Sequence, residues 1–177
     1  GGSGSDILTG LNQISQWKVT GAKSGEYTYI GSANKLSFLA IETAVGGSAD
    51  DTITFAGSGY VTVLNAGTLD GFDVTETIFT GTLRNINIML GGSANDTLVG
   101  LNTASTFELD GTNRYMNGGR ELAFSLVEVA MGGTGNDTFL ISGNQTKLTL
   151  YGMDGDDRFT FADKSTIAGD SPAVRGG

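Results

Sequence analysis

The sequence predicts an all-β fold, a right-handed parallel β-solenoid (β-helix or β-roll-like) of about eight coils of about 22 residues each. Three observations lead there. A Gly-rich turn recurs at constant internal phase, the stretches between turns alternate polar and apolar residues, and no long stretch carries a 3.6-residue stripe.

The turn comes first. Five segments align on their first residue: GGSGSDIL at 1, GGSADDTI at 46, GGSANDTL at 91, GGTGNDTF at 132 and GMDGDDRF at 152, with Gly176 and Gly177 opening a sixth. The sixth position is Asp in all five: Asp6, Asp51, Asp96, Asp137 and Asp157. The eighth is large and apolar: Leu8, Ile53, Leu98, Phe139 and Phe159. Successive starts lie 45, 45, 41, 20 and 24 residues apart, so the last two intervals together match one of the earlier ones. This reads as a unit of about 44 residues divisible into two turns of about 22.

The units are 1–45, 46–90, 91–131 and 132–175, in an A-B-A-B pattern within one repeat segment of a longer array. GLNQISQWKVTG of the first matches GLNTASTFELDG of the third, which sets Trp17 opposite Phe107. DTITFAGSGYVTVL of the second matches DTFLISGNQTKLTL of the fourth, which sets Phe55 opposite Ile141. Duplication of a two-unit block accounts for this simply.

The strands follow. DTITF, YVTVL, KLTLYG and RFTFA alternate with period two, favour β-branched and aromatic residues, and are bounded by Gly, Asn and Asp. Before each double Gly the alternation repeats: Ile41, Thr43 and Val45 point one way, as do Ile86, Ile88 and Leu90, and Val127, Val129 and Met131. Glu42, Asn87 and Glu128 then share one position on the opposite face, which reads as an ordinary solvated one. A single coil cannot bury its apolar face, whereas stacked coils bury a continuous column. Right-handedness is the default for parallel connections. An antiparallel β-sandwich is the alternative fold, but it gives no reason for a constant turn phase.

Composition narrows the chemistry. Gly accounts for 29 of 177 residues and Pro for one, which calls for many tight turns. A net charge of −9 argues against nucleic acid and anionic membrane surfaces as partners. No apolar run is long enough for a transmembrane helix, so no membrane insertion is expected. Cys and His are both absent. That removes thiolate and imidazole metal sites and the commonest general base, and leaves oxygen ligands suited to hard cations such as calcium.

GGTGNDTFL at 132–140 fits the nonapeptide GGxGxDxUx, with U large and apolar, at every position. Here the chain resembles the repeat-in-toxin (hemolysin-type calcium-binding) repeats of secreted bacterial proteins, and more closely the large repetitive surface proteins and adhesins that scatter such turns through longer units. The resemblance implies calcium between stacked turns, secretion, and folding outside the cell. The family's calcium turns come in tandem nine residues apart, and here they do not. Ala49 and Ala94 replace the third Gly at 46 and 91. Only the turns at 132 and 152 are acid-rich and about one coil apart. The candidate calcium ligands are therefore Asp137, Asp157, Asp154, Asp156 and Asn136, with Asp6, Asp51 and Asp96 behind them. The alternative role of these residues is turn formation, since Asn and Asp bond locally to the backbone and paired Gly permits positive φ.

No enzyme is expected. Glycoside cleavage needs two carboxylates set across a groove, and Asp70 with Asp73, or Glu108 with Asp110, have no matching partners. Arg84, Arg114 and Arg120 are the mid-chain arginines a lyase would draw on. Trp17 could stack on a sugar ring, but its match to Phe107 favours the core. The expected function is a non-catalytic structural, spacer or fibre segment of a secreted or cell-surface, adhesin-like repeat protein, stabilised by calcium. The alternative is a glycan- or surface-binding module. Expected partners are neighbouring coils of the same chain or adjacent subunits end to end, and cell-surface glycans.

Overall fold

The computed structural model describes residues 1–57, 59–168 and 174–177, so part of the last unit, 169–173, lies outside the described residues. The chain is all-β, with no helix among the described residues. The first unit runs β1 (Ile7–Thr9), β2 (Ser15–Gly21), β3 (Ser24–Tyr29), β4 (Leu36–Leu39) and β5 (Thr43–Val45). The second runs β6 (Asp51–Phe55), β7 (Val61–Asn65), β8 (Phe72–Glu76), β9 (Thr82–Ile86) and β10 (Ile88–Leu90). The third runs β11 (Thr97–Val99), β12 (Thr106–Leu109), β13 (Asn113–Asn117), β14 (Arg120–Ser125) and β15 (Val129–Met131). The fourth holds β16 (Thr138–Ile141), β17 (Asn144–Thr146), β18 (Thr149–Tyr151), β19 (Arg158–Phe161), β20 (Thr166–Ala168) and β21 (Val174–Arg175).

These strands form two large sheets and one small one. The nine-stranded sheet has the order β1-β5-β9-β8-β7-β11-β15-β18-β21, and the ten-stranded sheet β19-β16-β12-β13-β14-β10-β6-β2-β3-β4; β17 pairs with β20 at the side. Most neighbours are parallel, as stacked coils require. The core lies between the two large sheets, where Trp17, Ile53, Leu83, Leu98, Phe107, Phe139 and Leu150 are all buried.

The β-solenoid has about four turns, and the eight coils of about 22 residues are corrected. In the first three units the chain does not divide into two equal coils. It crosses to the other sheet, spends the middle of the unit there in an antiparallel three-strand meander, and crosses back: β2-β3-β4, then β7-β8-β9, then β12-β13-β14. Stacked partners such as Ser15 and Asp51 are then 36 residues apart, and Ser105 and Asp137 are 32 apart. Only the fourth unit makes simple coils, with Asp137 and Asp157 stacked 20 residues apart. An interval of 44 thus conceals two architectures, because a meander occupies about as many residues as a second coil.

Sequence alternation also assigns the wrong face before each double Gly. Thr43 and Val45, Ile88 and Leu90, and Val129 and Met131 sit on the half-exposed outer face, while the residues between them, Ala44, Met89 and Ala130, enter the core. The backbone explains the shift. Ala40, Asn85 and Leu126 occupy equivalent corners with φ of 55°, 59° and 56°. Their carbonyls are turned onto the first Gly of a neighbouring turn, so that a Cβ at Gly1, Gly46 or Gly91 would overlap them.

Candidate functional site: the aspartate turns

Each turn is organised by its Asp. Oδ2 folds back to accept the N–H four residues earlier, Gly2 to Asp6 at 2.7 Å, Gly92 to Asp96 at 2.6 Å and Gly133 to Asp137 at 2.8 Å. Oδ1 reaches sideways to another stretch of backbone, from Tyr60 to Asp96, from Ser105 to Asp137 (both 2.8 Å) and from Asp137 to Asp157 (2.9 Å). Asp51 Oδ1 instead accepts the Ser15 hydroxyl. A buried backbone N–H must find a partner, and one carboxylate here supplies two.

The Asp amide is satisfied in turn by the adjoining layer. Asp6 N–H donates to Glu42 Oε2 at 2.8 Å, Asp51 N–H to Asn87 Oδ1 at 3.1 Å, and Asp96 N–H to Glu128 Oε2 at 2.9 Å. Glu42, Asn87 and Glu128 are therefore not a plain solvated face. They clip one layer to the next, and at the last turn Asp157 takes over this role for Asp137. Lys23, 3.0 Å from Glu42, adds an ion pair, and the Asp6 N–H followed by Lys23 holds the Glu42 carboxyl below its ordinary value.

The glycines are required for space rather than for positive φ. The first and second Gly of the turns do not adopt the left-handed region. A Cβ on Gly46 or Gly132 would overlap the carboxylate of its own turn's Asp, and one on Gly47 or Gly133 would overlap the Leu11 or Leu101 carbonyl of the neighbouring GLN segment. Those segments reciprocate, since Asn12 Oδ1 accepts from Ser48 N–H at 3.1 Å and Asn102 Oδ1 from Thr134 N–H at 3.3 Å.

Other partners gave weaker signals in the sequence. Tyr27 and Tyr115 hold equivalent places, and their hydroxyls accept the N–H of Leu11 and Leu101 at 2.9 and 2.8 Å. Buried Glu76 accepts from Ile78 and Phe79 N–H and from the Thr77 hydroxyl, closing the turn after β8. The GLN triplet shared by residues 10–12 and 100–102 was the available clue, since the Leu-to-Tyr separations, 16 and 14 residues, differ between the units.

Burial governs the electrostatics. Asp51 and Asp137 are 0% and 1% exposed. Burial pushes both carboxyls above their ordinary value, and hydrogen bonds from Ser15 to Asp51, and from Gly133 and Ser105 to Asp137, oppose it. Asp51 Oδ2 faces the Gly47 N–H and the Trp17 indole N–H outside good hydrogen-bond geometry.

The turns at 132 and 152 are in direct contact. A Cβ on Gly155 would press on Gly135 O, and Asn136 Oδ1 accepts the Asp156 N–H at 3.0 Å. Asp154 and Asp156 are exposed at the rim. At this turn Met153, with φ of 71°, replaces the second Gly, and Asp157 Oδ2 is buried without a donor. Among the described residues no three acidic side chains converge as a metal cluster. Asp137 spends both oxygens on N–H groups, and Asp157 Oδ2 is the carboxylate oxygen of this pair that is buried without a hydrogen-bond partner.

Three of the four carboxylates weighed for catalysis, Asp73, Glu108 and Asp110, are held in ion pairs. Arg114 holds Glu108 at 2.7 Å and Asp110 at 3.4 Å, and Arg84 lies 3.7 Å from Asp73. Trp17, 1% exposed, packs against Tyr27 with ring centres 4.4 Å apart and has no face open to a sugar. Phe107, its counterpart, stacks on Phe139, which stacks on Phe159, at 4.6 and 4.7 Å. No family model matches the chain, and no curated protein or solved structure matches it either.

Proposed function

We propose that the chain is a non-catalytic structural segment, a spacer or fibre element of a secreted or cell-surface repeat protein. The observation that carries this reading is the use made of the turn carboxylates. The Asp side chains that set the repeat are directed at backbone N–H groups within and between layers, which is the chemistry of holding coils in register.

End-to-end stacking with further coils or an adjacent subunit belongs to the same proposal. The sheet edges support it, β1 and β4 on one side and β19 and β21 on the other, with Leu36, Leu39 and Phe161 exposed there. A Cβ on Gly177 would overlap Met153 O, just as one on Gly47 would overlap Leu11 O, so Gly177 already occupies a stacking position. A tandem duplication of 1–177 tests it by electron microscopy. Nine to ten strands per sheet, at about 4.8 Å each, imply a rod lengthened by roughly 45 Å per copy. Two separately tumbling particles, or cleavage of a polysaccharide by the chain, would remove the reading.

Calcium enters as a stabiliser of the 132–157 turn pair, supported by the free Asp157 Oδ2 and the exposed Asp154 and Asp156 beside it. Saturating calcium should then raise the melting temperature relative to excess chelator, by mass action, and magnesium should substitute poorly. Identical melting in both buffers withdraws calcium and leaves the rod.

A further inference from the structure

The two A-type units share a feature that stacking does not use. On the outside of the ten-stranded sheet, beside the β12–β13–β14 meander, lies a shallow cleft of about 440 Å³, lined by Thr106, Met116, Asn117, Glu121, Asn136 and Thr138 among others. Its floor is a cross-strand row: Glu121 pairs with Met116, Met116 with Thr106, and Thr106 with Thr138. The wall is the β13–β14 hairpin, whose Gly118 and Gly119 both have positive φ (59° and 80°), as a two-residue turn of this kind demands. Arg120 is fixed at the rim by its Nε donating to Leu69 O at 3.0 Å.

The first unit carries a cleft in the same place. It measures about 280 Å³ and is lined by Gln16, Thr28, Tyr29, Ile30, Gly31 and Ser32. Gln16 pairs with Thr28 as Thr106 pairs with Met116, so the two floors are equivalent in register. What the clefts have in common is amide and hydroxyl groups beside one apolar side chain, Ile30 in one and Met116 in the other. One contains no charged group, and the other sets Glu121 near Arg120. Such a lining suits vicinal hydroxyls on a neutral ring, with Ile30 or Met116 against its apolar face. An anionic ligand would meet Glu121 and a chain of net charge −9.

We propose that these clefts are a repeated binding subsite for a neutral saccharide chain. Five strand steps separate β2 from β12, which spaces the clefts by about 24 Å along the sheet, within reach of one polysaccharide. The inference does not rest on the structural role above, because an inert rod and a sugar-binding rod have the same core.

The test is amide chemical-shift mapping of the intact chain with maltohexaose, cellohexaose and a galactan hexasaccharide, followed by the soluble polymer of whichever binds. Shifts confined to residues 16, 28–32, 104–106, 116–121 and 136–138 are expected, with affinity for a single cleft on the order of millimolar. The polymer should bind at least about tenfold more tightly through two-point attachment. Gln16→Ala combined with Ile30→Ser should abolish shifts in the first cleft alone, and Thr138→Ala with Glu121→Ala those in the second. Either pair should return the polymer to single-site affinity with the melting temperature unchanged. Absence of cleft shifts with all three sugars, shifts located elsewhere, or polymer affinity indifferent to both pairs overturns the proposal.

Discussion

Replacing Asp96 isolates the contribution of one turn carboxylate. Its Oδ2 accepts Gly92 N–H at 2.6 Å, its Oδ1 accepts Tyr60 N–H at 2.8 Å, and the residue is 0% exposed. Asp96→Ala strands two backbone donors, that of Tyr60 in the interior and that of Gly92 partly buried. Each orphan costs about 1–3 kcal/mol, partly offset because a carboxylate no longer has to be buried, so the expected loss is about 2–5 kcal/mol. At this chain length that corresponds to roughly 5–15 °C in Tm. Asp96→Asn separates acceptor chemistry from space filling. It keeps the volume but presents an amide NH₂ to one of the two donors, and should lose at least about half as much. Asp154→Ala, an exposed turn Asp, should change stability by less than about 0.5 kcal/mol. Guanidinium unfolding by linear extrapolation reads all three, with unchanged m-values. An Asp96→Asn chain as stable as the parent, or an Asp96→Ala chain within about 1 kcal/mol of Asp154→Ala, would refute the argument.

Gly133→Ala should destabilise by about 1–3 kcal/mol, because its Cβ would press on the Leu101 carbonyl. Gly2→Ala, at the same turn position but with open space around it, should be close to neutral in the same unfolding experiment. Leu126→Asn should stabilise by roughly 0.5–1 kcal/mol, since Leu126 is exposed at φ 56° and Asn tolerates the left-handed region that Asn85 already occupies at the equivalent corner. The buried carboxyls give a pH signature. Asp51 has a folded pKa raised above 3.8, so the folded state binds more protons between that value and the raised one, and stability falls as pH rises through this window. Asp51→Asn should flatten that limb of the stability–pH profile, and an unaltered slope would contradict the assignment. For calcium, the expected difference in melting between saturating ion and chelator should shrink in Asp157→Asn, as measured by calorimetry.

What could be read in advance followed from local rules. Parallel stacking was legible because GG and Asp recur at one phase, and Leu98 and Phe139 fall in the core where the pattern put them. The equivalence of Trp17 and Phe107, 1% and 0% exposed, was likewise visible in aligned text. The meanders were not. β3 and β13 are as alternating and polar as any rung strand, and only pairing across the sheet reveals that they run backwards. The outer position of Val45 and Leu90 was hidden because a non-Gly corner residue, such as Leu126 at positive φ, carries no sequence mark and reverses the apparent face. The roles of Glu42 and Glu128 were missed for another reason. Their partner is a backbone N–H in a different layer, and an amide has no letter in the sequence.

The meander has a consequence for how such an array can change length. A long unit leaves on the sheet where it entered: the first begins with β1 and ends with β5 in the nine-stranded sheet, so the next must begin in the ten-stranded one. A short coil behaves differently. It enters at β16 in one sheet and leaves at β18 in the other, so its successor starts on the same side as it did. Recombination that inserts or removes one short coil therefore leaves everything downstream in place. Gain or loss of one long unit would hand every later segment to the opposite sheet, half a turn around the axis, with its inward residues still inward, as Ile53 and Leu98 are at the same turn position in opposite sheets. Only long units exchanged in pairs leave the facing of everything downstream unchanged, and that parity is imposed by the path of the backbone.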